Sequence, residues 1–200
     1  MSLQRSSDPW WVPVEKQTIQ ADARPPSAVA MRWPDAAIDD RGAAMLDLVA
    51  ARLRCLGFDV SDDCFPNLNE AASLFWTLTA SEDSGRFQSL VDQFGDHAVR
   101  NARRSTLDYA RRVTTMTKYV EAMQRRSIML REAMHFLASK LIFIAPVLLS
   151  EQIRIDTDQG DDGAVARMLD AYRPLTAISL LDLPSLTVSC CIAESLMAFR

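Results

Sequence analysis

Between residues 102 and 141 an apolar position returns every three or four residues without a gap: Ala102, Thr106, Tyr109, Val113, Met116, Val120, Met123, Ser127, Leu130, Met134, Leu137 and Leu141. The spacings alternate four and three, the heptad pattern of a helix seam, and only Thr106 and Ser127 depart from apolar character. The pattern predicts one long helix from about residue 96 to residue 144, between Gly95 and Pro146. Such a helix extends ~70 Å at 1.5 Å per residue, against a radius of gyration of ~16 Å for a compact chain of this length. It must project, or break and fold back. Thr114-Thr115-Met116-Thr117 is its weakest point, because β-branched side chains lose rotamer freedom in a helix. With no Gly or Pro there, the expectation is a continuous helix.

Shorter periodic stretches flank it. Met45, Leu48, Val49, Leu53 and Leu56 predict a helix from about Arg41 to Leu56, capped by Asp39 or Asp40 and stopped at Gly57. Phe58 to Phe65 reads as a loop, or a short strand at most. A second helix follows Asn67 or Asn69 with Leu74, Phe75 and Leu78 as core residues, and a third spans about Glu82 to Phe94. Past Pro146, the acidic turn Asp156 to Gly163 lacks the glutamate that would close a calcium loop, since Leu169 stands there. Asp161 and Asp162 fit the start of a helix over Ala164 to Tyr172 instead, with Pro174 stopping it. A last helix can run from Ser185 through Phe199, with a strand over Leu186 to Ile192 as the alternative.

Residues 1–38 break this helical pattern. Pro9, Pro13, Pro25, Pro26 and Pro34 reset φ and remove backbone donors, while Trp10, Trp11 and Trp33 stand among them. This reads as an extended arm with aromatic anchors, packing on its own domain or on a neighbouring subunit. The expected architecture is mainly α: a helical bundle over residues 39–200 with one long central helix, and an N-terminal arm over 1–38.

Composition adds three points. Six glycines are few for a sheet-rich fold. No stretch has the length and apolarity of a signal peptide or a membrane span, so the expectation is a soluble protein in the cytoplasm or inside an assembled particle. The four cysteines (55, 64, 190 and 191) form no CxxC and read as reduced thiols, some of them in the core.

Charge is distributed unevenly. The net charge is −4, yet residues 100–131 hold nine cations against Asp108 and Glu121, a local +7 that leaves −11 elsewhere. On a continuous helix, Arg104, Arg111, Lys118 and Arg125 recur every seven residues, opposite the apolar seam and ~10.5 Å apart. Arg100, Arg103, Arg112 and Arg126 lie beside that row. A row of one sign is either a solvated face, a site for a polyanion such as nucleic acid, bound through its backbone, or a contact for an acidic protein surface.

No nucleophile elbow, P-loop, dinucleotide fingerprint or zinc-protease motif is present. Neither His97 nor His135 stands in a motif, and no metal or cofactor is implied. The reading is a non-enzymatic structural or assembly protein, of the kind that forms a coat. It self-associates through Trp10, Trp11, Trp33 and the seam residues Val113, Met116, Val120, Met123, Leu130 and Met134, and presents the basic row to nucleic acid; the seam reads equally as the core of the chain's own bundle, packed against its other helices. The alternatives are an adaptor, chaperone or secretion accessory that meets an acidic protein, and a helical enzyme whose site is assembled from distant residues.

Overall fold

Asp39 starts the first helix. Its carboxylate accepts the Gly42 amide at 2.6 Å and satisfies one of the donors a helix leaves open at its first turn. The computed structural model describes residues 28–30, 33, 38–83, 85–140, 142–150 and 153–188. Trp10, Trp11 and most of the expected last helix lie outside them. Helix α1 covers Asp40–Cys55, and Gly57 turns the chain at a φ of 87°. Strand β1 (Ala28–Ala30) is the middle of a small parallel sheet, with β2 (Val60–Ser61) on one side and β3 (Ile142–Ile144) on the other. Ala28 pairs with both Val60 and Ile142. Parallel neighbours need a crossover, and α1 supplies the one from β1 to β2.

The end of the expected arm therefore belongs to the domain. Ala28 and Val29 are fully buried, and Trp33 is buried with its indole N–H donating to Asn69. Ala-Val-Ala is small, uncharged and β-compatible, which suits a strand paired on both edges.

Helix α2 (Leu68–Glu82) is the hub, packing most extensively against α7 (Arg173–Leu180) and also meeting α4 and α5. Ala71, Ala72 and Ala177 are buried at this crossing, and small side chains let the two backbones approach closely. Phe65, Leu68, Met129, Ala133, Leu149, Leu180 and Leu181 complete the core. Pro174 does not merely end the preceding helix α6 (Asp162–Ala171). It sits in the first turn of α7, where its missing N–H has no helical partner to lose. At the other end of α6, Asp161 accepts the Ala164 amide at 2.7 Å, as its capping role predicts.

The expected central helix is not one helix. Helix α3 (Arg86–Phe94) ends at Gly95, where a Cβ would lie 2.5 Å from the Val91 carbonyl oxygen. Helix α4 then runs His97–Ala110 and α5 runs Met116–Ser139. Arg111 between them is left-handed at φ 49°, and Thr115 caps α5 through the Lys118 amide. Two hydroxyls of α2 hold the break: Thr77 donates to the Ala110 carbonyl at 3.0 Å, and Ser81 accepts the Val113 amide at 3.0 Å. The backbone groups a continuous helix would pair internally are thus taken up by its neighbour. Nor does helix reach residue 144, because Lys140 is extended and Ile142–Ile144 joins β1. Residues 183–188, where the last helix was expected to begin, form neither helix nor strand.

Candidate functional site

The break decides what becomes of the basic row, because no single straight face joins residues 100 to 126. Arg103 forms an ion pair with Asp83 and lies over the Phe87 ring, 5.0 Å from its centre. Arg104 reaches Asp162 at 3.4 Å. Arg125 holds Glu70 through two 2.6 Å bonds, and Arg126 pairs with Asp182 while donating to the Leu180 carbonyl at 2.8 Å. Arg100 and Arg112 donate to the backbone carbonyls of Asp92 and Asp83. Four of the eight row residues are therefore paired with carboxylates from other elements, and two more hold backbone carbonyls. Arg111 and Lys118 are exposed and have no carboxylate partner among the described residues.

The pairings leave their mark on proton affinity. The Arg125 hydrogen bond holds the Glu70 carboxyl below its ordinary range. Tyr119, which donates to Glu82 at 2.9 Å, is shifted upward because that bond favours its protonated form. Burial shifts Tyr109 upward more strongly, reinforced by its 2.7 Å bond to Asp170.

The seam residues also divide. The face of α5 turned to the core carries Tyr119, Ala122, Met129, Ala133 and Phe136, with Met123 and Leu137 at its margin. Each of those five stands one residue before a predicted seam position, a rotation of ~100° about the helix axis. Met116 is 76 % exposed, Met134 56 % and Val120 45 %, with Leu130 and Val113 half-buried. Met116, Val120 and Met134 thus stand exposed along one side of α5, with Met123 and Leu130 partly covered between them. Trp33, the third aromatic anchor, is in the core and not on a surface. At the start of the row lies an open cleft of about 610 Å³, lined by Ser81, Glu82, Arg112, Val113–Met116 and Tyr119.

A second uncovered surface escaped the sequence reading. On α3, Phe87, Leu90 and Phe94 are 55 %, 45 % and 74 % exposed, while Val91 alone is buried. Their i, i+3, i+4, i+7 spacing was the available signal, but it reads equally well as an ordinary core-facing stripe.

Among the described residues, no three His, Cys, Asp or Glu side chains cluster as metal ligands would, and no helix is long and apolar enough to cross a membrane. His97 and His135 are exposed, as are the thiols of Cys55 and Cys64. No protein-family model matches this chain, and no curated protein is detectably similar to it.

Proposed function

We propose that this chain is a non-enzymatic assembly protein that self-associates through the uncovered face of α5. The observation that carries this reading is the row Met116, Val120 and Met134, large apolar side chains left in water along one side of the longest helix. Several large apolar side chains exposed along one side of a helix favour an interaction site over a solvated face. Methionine suits such a contact, since its unbranched thioether adapts to the surface it meets.

Polyanion binding is the second reading. Arg111, Arg112 and Lys118 favour it, three cations around the α4–α5 break with no carboxylate partner among the described residues. The ion pairs of Arg103, Arg104, Arg125 and Arg126 weigh against a longer footprint.

Light scattering across a concentration series, with and without nucleic acid, tests both readings. Self-association predicts a mass that rises with concentration and falls in Val120→Glu and Met134→Glu variants of unchanged helicity. A monomer at every concentration overturns it. Three phosphate contacts predict log K falling with log salt at a slope of about −2.7, lost in Arg111→Glu with Lys118→Glu.

A further inference from the structure

Helix α3 is close to a palindrome. Outward from the Leu90–Val91 bond, the residue pairs are Leu90 with Val91, Ser89 with Asp92, Gln88 with Gln93, and Phe87 with Phe94. Phe87 and Phe94 are exposed at equal distances from that bond; at the centre Leu90 is exposed and Val91 is buried. Within the described chain, α3 packs chiefly on α4, with Val91 buried and Arg103 lying over the Phe87 ring.

We propose that α3 is a self-complementary contact, pairing antiparallel with α3 of a second copy across a two-fold axis near the Leu90–Val91 bond. A two-fold contact requires that residue i meet residue j while j meets i, and the exposed phenylalanines 87 and 94, equally far from that axis, meet that requirement. Phe87 of each copy lies against Phe94 of the other, and the two Leu90 side chains meet at the axis. The ends agree in charge. Antiparallel pairing brings Arg86, exposed and without a carboxylate partner among the described residues, to the far end of the other α3. There it meets the exposed Asp96 carboxylate, which caps α4 through the Val99 amide, at a helix end where a cation is favoured. Phe87, Leu90, Phe94 and the adjoining Val99, which is 48 % exposed, offer roughly 400 Å² per copy, about half of what a standard interface buries on each partner. The contact is therefore reversible, and it adds to the α5 face without replacing it. This inference rests on the self-association reading but places a second contact on another helix.

Cysteine cross-linking in the full chain, with residues 55, 64, 190 and 191 changed to Ser, tests it. Leu90→Cys is expected to form a disulfide dimer under mild oxidation. Phe87→Cys alone and Phe94→Cys alone are not, since each site lies ~10 Å along the helix from its own two-fold mate. Mixing those two variants is expected to give the cross-linked dimer. Cross-linking of Phe87→Cys with itself as readily as Leu90→Cys, or failure of Leu90→Cys to cross-link, overturns the antiparallel contact. Sedimentation of Phe94→Glu and Val120→Glu separates the two ideas. If Val120→Glu lowers the mass and Phe94→Glu does not, the α3 contact falls and self-association through α5 stands. If the parent protein sediments as a monomer throughout, both fall.

Discussion

Arg125 grips Glu70 side-on, with its Nε and Nη2 each 2.6 Å from one of the two carboxylate oxygens, and so ties α5 to the start of α2. The carboxyl, ordinarily near 4.5, is held lower in the folded chain chiefly by this bond, so the folded state binds fewer protons than the unfolded state near that pH. The pair's contribution is present above pH 4.5 and fades as the pH drops through the lowered value. Asp63 behaves in the same sense through its bonds to Lys140 and Ser61. Urea midpoints at pH 7 and pH 3.5 are expected to differ less in Glu70→Gln than in the parent chain. An equal difference in the two proteins would show that the pair does not contribute.

The orientation of α5 makes a sharp contrast between two methionines. Met129 is 1 % exposed and Met134 56 %. Met129→Ala is expected to cost about 2–5 kcal/mol through lost burial and the cavity left behind, and Met134→Ala within about 0.5 kcal/mol of nothing. Chemical denaturation of the two variants checks the helix phase directly. Similar losses in both would place the core on the face the heptad pattern predicted.

The α4–α5 break has its own signature. An L-residue in the left-handed region carries a cost of about 1–2 kcal/mol that glycine largely avoids. Arg111→Gly is therefore expected to stabilise the fold by about 0.5–1 kcal/mol, whereas in a continuous helix it would destabilise by about 1 kcal/mol. Thr115→Ala removes the cap of α5 and is expected to cost about 1 kcal/mol. Thermal melts of both variants give the sign.

Cutting the N-terminal segment at two places separates its parts. Removing residues 1–38 deletes β1 and Trp33 and is expected to abolish cooperative unfolding. Removing 1–27 spares both, so a cooperative melt is expected to survive. The mass of that shorter deletion then tests whether Trp10 and Trp11 take part in assembly.

What could be read from the chain beforehand was local. Asp39 before α1, Asp161 before α6 and the stop at Gly95 each show within four residues, because capping satisfies backbone groups one turn away. The strands could not be read this way. Three residues such as Ala28–Ala30 carry almost no pattern, and their pairing partners stand far off in the chain.

The candidate surface was legible in its residues but not in its geometry. Met116, Val120 and Met134 were expected at an interface and lie exposed, while Trp33 was expected there and lies in the core. The heptad count favoured large apolar side chains and passed over Ala122 and Ala133, whose small size lets α5 settle against its neighbours on a different face. The ion pairs were illegible for another reason. Arg125 with Glu70 and Arg126 with Asp182 each join residues more than fifty positions apart, so counting charges along one segment saw the cations without their partners.

The position of β1 bears on the order in which the protein is made. Of the two ladder partners of Ala28, Ile142 leaves the ribosome more than a hundred residues after it. Until then one edge of the nascent sheet has nothing to pair with, and loop-closure entropy opposes joining ends so far apart. The helices can form as they emerge. A strand of three residues thus has to wait for more than a hundred residues of chain before both of its edges are paired.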